Sequence, residues 1–344
     1  MVRAFFIVGP TGTGKSELAA DIAREVGAEI VSADAFQIYR GLDLLAAKPE
    51  GEVLGKAPHH LIGTIPLTEE MNAEKFRRAA TGAIQAVNSR GKLAIVVGGS
   101  GLYIKMLTHG LSPLPKSDQK LREKLNAMSL DKLISQLAEL DPETAGKIDV
   151  KNRRRVVRAL EICLSTGKPM SQAFAASAVV AEGADLGRLA HGRPRSATAA
   201  TGTASSKPAR GIFVFRDREE LYERINQRVK TIFERGVVEE VRAAGVTSAT
   251  ASQMIGLREI REFLDGRKSL PQCIAEIQQA TRRYAKRQLT WFRRQTNFAP
   301  LNLSFLTHNE ALKWISLRMF SKAGIKDDRN ASAKITRARA ADRP

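Results

Sequence analysis

Unbroken apolar runs and helical spacing alternate along the first hundred residues. The run "AFFIV" at 4–8 has no polar break and reads as a strand buried on both faces. "GPTGTG" follows as a turn. Leu18, Ala19, Ile22, Ala23 and Val26 then recur at the spacing of a helix with one apolar face. "AEIVSAD" is a second strand, ending on the acid Asp34. Helical spacing returns over 73–88, and "KLAIVVGGSG" is a third strand closing on glycines. This alternation predicts an α/β fold, a doubly wound parallel sheet with helices on both faces. Ligands of such sheets bind beyond the carboxyl ends of the strands. The pattern therefore points to three segments at one site: 9–16, 32–37 and 98–101.

From about residue 117 the pattern is helical. Leu121, Leu125 and Met128 keep helical spacing, as do Leu130, Leu133, Ile134 and Leu137, and then Val156, Val157, Leu160 and Leu164. The Ala/Ser/Gly/Thr-rich stretch over 175–211, with "SATAATGTASSKPARG", has little to bury and predicts a mobile loop. "GIFVF" reads as a returning strand. The helix after it places Leu221, Ile225, Val229, Ile232 and Phe233 on one side, and a long helix is expected over 270–294. The expected organisation is a first core segment at 1–116, a helical insertion at 117–211, a second core segment at 212–312, and a basic, disordered tail at 313–344.

Composition narrows the partners. The 344-residue chain carries a formal net charge of +19 and is 43% hydrophobic, enough for a sizeable core. Such a basic balance favours phosphates, nucleic acid or an anionic surface. No apolar run is long enough to span a bilayer, and the short run near the start leads straight into the turn instead of a signal-peptide cleavage site. The two cysteines, Cys163 and Cys273, have neither metal-ligand nor redox spacing and read as reduced core thiols of a cytoplasmic protein.

The strongest chemical signal is "GPTGTGKS", at Gly9, Pro10, Thr11, Gly12, Thr13, Gly14, Lys15 and Ser16. A loop of this pattern between a strand and a helix cradles phosphates with its backbone N–H groups. Lys15 supplies a point charge and Ser16 a ligand for Mg²⁺. ATP hydrolysis also calls for a strand ending in an acid that holds the metal. The "VVGGSG" strand has none, so the candidate acid is Asp34, as general base, metal ligand or cap. Over 270–294, "TRRYAKRQLTWFRR" puts Arg282, Lys286 and Arg293 on one face, beside Arg283, Arg287 and Arg294, with no acid among them. "KNRRRVVRALEI" adds Arg153, Arg154, Arg155 and Arg158. Two such clusters favour a nucleic-acid backbone as partner.

These stretches, with "EIVSADAFQIYRGLD", "AAKP", "APHHLI", "VVGGSGLYIKML", "GLSPLP" and "ERINQRV", resemble the tRNA dimethylallyltransferases, also called tRNA isopentenyltransferases, from Phe5 to about Gln295. The resemblance implies transfer of a five-carbon prenyl group from dimethylallyl diphosphate to the exocyclic amine of the adenine just 3′ of the anticodon. In that reading the loop holds a diphosphate, with Arg218 of "RDREELYERI" as a further grip and Mg²⁺ at Ser16. Asp34 accepts the amine proton or holds the amine as it attacks, Ser100 and Arg122 line the channel, and Asp34, Lys15 and Ser100 are the expected catalytic residues. By the same match Asp34, Ala35, Phe36 and Gln37 contact the target base. Arg122, the Arg154, Arg155 and Arg158 stretch, Gln253, Gly256 and Arg258, and Lys286, Arg287, Gln288, Trp291 and Arg293 contact the anticodon stem-loop. The enzyme is expected to act as a monomer away from membranes.

Several positions depart from the family's usual residues: Ala35 for Ser, Leu45-Ala46 for Gly-Thr, Gly63 for Asp, Ser100 for Thr and Leu257 for Tyr. Lys15, Ser16, Asp34 and Arg218 are kept. The rival readings are a P-loop small-molecule kinase, which leaves the basic helix unexplained, a nucleic-acid-binding module with a vestigial loop, and an adenylate prenyltransferase, against which the helical insertion argues.

Overall fold

The computed structural model describes residues 3–110, 115, 118–172, 210–294 and 298–320. The chain divides into two compact units, Met1–His109 with Ser206–Pro344, and Gly110–Ser205. The first holds a parallel sheet of six strands: β1 Ala4–Val8, β2 Glu29–Ser32, β3 His59–His60, β4 Ala94–Gly98, β5 Arg210–Phe215 and β6 Ala299–Asn302. Their order is β3-β2-β4-β1-β5-β6, so β1, the strand that feeds the phosphate loop, is central.

Alternation along the strands gives the sheet two buried faces. On one, Phe5, Ile7, Ile30, Ile95, Val97, Ile212 and Val214 pack on Leu18, Ala19, Ile22 and Ala23 of helix α1, Lys15–Val26. On the other, Phe6, Val8, Val31, Val96 and Phe213 pack on Phe76, Ala80, Ile84 and Val87 of Ala73–Ser89 and on Phe292. Burial on both faces explains the unbroken apolar runs.

The phosphate loop turns on two glycines. Gly12 has φ +84° and Gly14 φ +88°, a region costly for residues with a Cβ, and Gly14 leads directly into α1. The long basic helix, Leu270–Arg293, opens on a capping box between Ser269 and Gln272 and buries Cys273, Ile277, Ala285, Gln288 and Phe292 along one stripe. A third apolar cluster joins this helix to Arg218–Glu234, Val237–Ala243 and Leu257–Leu264, with Leu42 and Leu45 packed into it.

The described residues of the second unit include the helices Gln119–Ala127, Leu130–Leu140, Pro142–Lys147 and Arg153–Thr166, capped at their N-termini by Asp118, Ser129, Asp141 and Asn152. Its core holds the expected Leu125, Leu133, Leu137, Val156, Val157 and Leu160, while Cys163 is inside and Leu164 is exposed.

Two edge strands were not legible as runs, because β3 is two residues long and β6 contains Pro300. Proline is tolerated there because β6 pairs only with β5. The expected tail at 313–344 begins too early. His308–Phe320 is a helix that buries Ala311, Leu312, Ile315 and Met319 on the sheet, and its apolar spacing outweighs the local charge. Residues 321–344, and the expected loop as far as residue 209, lie outside the described residues. Arg210 and Gly211, assigned to that loop, already belong to β5.

Candidate active site

Three arginines brace the phosphate loop, Arg216 from the turn after β5 and Arg224 and Arg228 from the helix Arg218–Glu234 that follows. Arg216 Nε donates to the Thr13 carbonyl (3.0 Å), Arg224 Nε to the Gly12 carbonyl (2.9 Å) and Arg228 Nη1 to Thr11 Oγ1 (3.0 Å). Lys15 Nζ donates to the Pro10 carbonyl (3.2 Å), folding its ammonium back over the loop. From the other side the Gln288 amide accepts from Thr11 N–H (3.0 Å) and donates to the Gly99 carbonyl (2.8 Å). It thereby ties the turn after β1 to the turn after β4. Burial pulls the Lys15 ammonium down to about 8, with Asp34 opposing that fall and Arg228 adding to it. Burial also lowers Arg228, again against Asp34, although a guanidinium stays charged at neutral pH.

Asp34 follows β2 by two residues, at a strand's carboxyl end as the topology requires. Its Oδ1 accepts from the N–H of Phe36 (2.9 Å) and of Gln37 (3.3 Å), which fixes the side chain's direction. Ser100 Oγ accepts from Ala35 N–H (3.0 Å), so the segments at 32–37 and 98–101 are locked together. The Gln37 amide is engaged at both ends, accepting from Ser32 Oγ (3.0 Å) and donating to the Ala47 carbonyl (3.0 Å). Burial foremost, and Asp34 next, raise the Tyr284 phenol well above its usual range, against hydrogen bonding with Ser100 and Gln288.

Asp34 lines three adjoining cavities. One is a polar cleft shared with Lys15, Ser16, Ser32 and Gln37. A wider one runs over the phosphate loop past Arg224 and Arg228. The third is mainly apolar, with Leu45, Ile225, Ile232, Met254 and Ile277 in its walls and Thr11 and Arg228 at its polar side. The site thus brings one carboxylate, a phosphate-type loop, clustered cations and an apolar chamber together. Such an arrangement can hold a diphosphate, stabilise its departure from a hydrocarbon, and take up a proton on the acceptor side.

Other expected site residues fall elsewhere. Arg218 begins its helix, lies over the Tyr222 ring at 5.2 Å and lines none of the three cavities. Arg224 and Arg228, six and ten residues on, are the arginines of this helix that touch the phosphate loop. Sequence reading passed over them because a basic residue on an amphipathic helix looks like solvated surface. Gln288 and Gly256, expected against RNA, are buried. Gln288 is consumed by the two backbone bonds above, and Gly256 (φ +98°) lies under Leu45 and Ile277. Trp291 is half-buried, its ring against Gly101. Gln253 and Arg258 are exposed, as are Lys286, Arg287 and Arg293 on the outer side of the long helix. In the second unit Arg122 grips the buried Glu161 with two bonds (2.6 and 2.8 Å) and Arg158 reaches it at 3.2 Å, so both cations serve the interior. Arg154 and Arg155 are exposed.

A family model described as IPP transferase matches residues 37–295. A tRNA dimethylallyltransferase of Citrifermentans bemidjiense is 41% identical over 300 residues, 86% of this chain and 90% of that protein. Among solved structures, a tRNA isopentenylpyrophosphate transferase of Bacillus halodurans aligns over 99% of both chains, with a TM-score of 0.63 and 28% identity. A eukaryotic dimethylallyltransferase that acts on tRNA shares the fold, with a TM-score of 0.67 at 24% identity over 99% of this chain and 80% of that one.

Proposed function

The chain belongs to the IPP transferase family, and on that premise we propose that it transfers the dimethylallyl group of dimethylallyl diphosphate to the exocyclic amine of the adenine 3′ to the anticodon in tRNA. The bond between the prenyl C1 and the diphosphate oxygen breaks, a C1–N6 bond forms, and the amine gives up one proton. The observation that carries this reading is the position of Asp34, which lines the phosphate cleft and the apolar chamber alike.

The backbone N–H groups of 12–16 and the cations Lys15, Arg224 and Arg228 bind the diphosphate and offset the charge that grows on it as it leaves. The apolar chamber excludes water from the prenyl carbon, which would otherwise be hydrolysed. Asp34, oriented by the Phe36 and Gln37 N–H groups, aligns the amine and accepts its proton. An aromatic amine is a weak nucleophile, so alignment contributes as much as basicity. Reaching this site requires the adenine to leave the anticodon-loop stack. The exposed cations Lys286, Arg287 and Arg293, with Arg154 and Arg155, suit the RNA backbone.

A divalent metal fits the donor set. Ser16 offers one hydroxyl in the cleft, and no cluster of acidic, histidine or cysteine ligands exists among the described residues. Mg²⁺ would therefore take most of its oxygens from the diphosphate and water, its usual preference, and when bound it supplies further charge neutralisation on the leaving group. Among the described residues no helix is long and apolar enough to cross a membrane; the proposed tRNA substrate is what suits a cytoplasmic enzyme.

Incubation of the protein with labelled dimethylallyl diphosphate and either an anticodon stem-loop RNA or AMP tests the reading. Label entering the RNA supports it. Label entering AMP alone, or phosphoryl transfer from ATP in place of prenyl transfer, would sink it.

A further inference from the structure

The apolar chamber beside Asp34 is closed by a segment that the fold pins unusually firmly. Leu45 is 7% exposed and forms part of the chamber wall. A Cβ built on Gly256 would lie 2.7 Å from Leu45 Cδ1 and 3.4 Å from Ile277 Cδ1, so Leu45 rests directly on the Gly256 backbone with Ile277 beside it. The main chain under Leu45 cannot easily move. The Glu240 carboxylate accepts from three successive N–H groups, those of Asp43 (2.5 Å), Leu44 (2.8 Å) and Leu45 (3.0 Å). Lys48 pairs with Asp43, and the Ala47 carbonyl is held by Gln37. Ala47 itself has φ +45°, a left-handed conformation that a residue with a Cβ keeps only where its surroundings impose it. Charge-assisted bonds to three N–H groups are the strong kind, so a bulky ligand entering the chamber cannot displace Leu45 by a simple loop movement.

Resting on the reading above, we propose that Leu45, a side chain standing where the family usually has Gly and held in place by Glu240, narrows the hydrocarbon pocket of this chain and sharpens its preference for a five-carbon donor over a longer one. A donor whose diphosphate lies on the loop beside Thr11 and Arg228 has this chamber directly next to those two groups, whereas the wider cavity over the loop carries the charged Lys15, Glu17, Lys48, Glu50 and Arg224. The isobutyl group of Leu45 has four carbons, nearly one isoprene unit. Truncating it clears the space that the next unit of a ten-carbon donor needs. Leu45 acts by steric exclusion, and Glu240 is a positioning residue that acts through it.

The test is a competition between dimethylallyl and geranyl diphosphates, with an anticodon stem-loop RNA as acceptor and the full chain as enzyme. The wild-type protein is expected to favour the five-carbon donor by about 100-fold or more in kcat/KM, since each excess methylene against a closed wall costs roughly tenfold or more. Leu45→Gly should lower that ratio at least tenfold, chiefly by gaining use of the ten-carbon donor. Leu45→Ala, the better-tolerated truncation, and Glu240→Ala should lower it in the same direction. A loss of folding would depress both donors together and leave the ratio alone. A ratio within twofold of wild type in all folded variants overturns the proposal. Calorimetric binding of the two diphosphates gives the same ratio without transfer. If no transfer occurs but Leu45→Gly tightens geranyl diphosphate binding tenfold, the pocket assignment stands and the transferase reading fails.

Discussion

Replacing Gln288 separates the structural account of the long helix from the expectation that this side chain meets RNA. Gln288→Leu keeps the volume and removes both amide functions. The Gly99 carbonyl is buried and would lose its partner, at a cost of about 1–3 kcal/mol, whereas Thr11 N–H lines a cavity and can turn to water at a cost of about 1 kcal/mol or less. The expected destabilisation is thus about 2–3 kcal/mol, a large part of a typical domain stability of about 5–15 kcal/mol. Gln288→Glu should cost more, because a carboxylate cannot donate to the Gly99 carbonyl and turns a like partial charge toward it. Both tryptophans, Trp291 and Trp314, belong to the unit that contains the sheet. Urea unfolding followed by tryptophan fluorescence therefore reports that unit alone. Loss of less than about 0.5 kcal/mol with an unchanged denaturant slope, together with weaker RNA binding, would refute the bridging role and restore Gln288 to the RNA surface.

Further outcomes follow from the same geometry. Because burial leaves Lys15 near 8, the free enzyme holds its cation below that pH and loses it above. The kcat/KM for the donor should accordingly fall as pH rises through about 8, and Lys15→Arg should shift that limb upward; a flat profile to pH 9.5 would contradict it. Asp34→Asn should lower kcat by about 100-fold or more while stem-loop RNA binding stays within about twofold, and a parallel loss of binding would argue for a purely structural acid. Arg228→Ala should raise the donor KM by about tenfold or more, the effect of a lost charge-assisted contact, and Arg218→Ala by much less. The reverse ranking would return the diphosphate grip to Arg218.

How far the sequence carried depends on the range of the interactions involved. The phosphate loop, β1, α1 and the helix at Leu270–Arg293 are written in local spacing and turn chemistry, and the structure has them where the patterns put them. Asp34 follows from a topological rule, since a residue just past a strand's carboxyl end lies where such sheets bind ligands, and it lines the cavities found there. Arg228 and Gln288 escaped because their roles depend on contacts with Thr11 across 217 and 277 residues of chain. Within its own helix each reads as an ordinary polar position. Glu240 is similar, since nothing local marks it as the acceptor for three N–H groups some 195 residues away. The pairing of Arg122 and Arg158 with buried Glu161 shows the same limit for charge clusters. A run of basic residues records the sum of charge but not which cations are already spent on an interior carboxylate.

The central claim is that one carboxylate, Asp34, serves a chamber in which a diphosphate leaves and an adenine amine attacks. Nucleoside analysis of tRNA lacking the modification, after incubation with the protein, Mg²⁺ and dimethylallyl diphosphate, tests it most directly. The account predicts isopentenyladenosine at the position 3′ to the anticodon with the wild-type protein and a sharply reduced yield with Asp34→Asn. An unmodified adenine there in the presence of folded, diphosphate-binding wild-type protein, or an equal yield with Asp34→Asn, would contradict it.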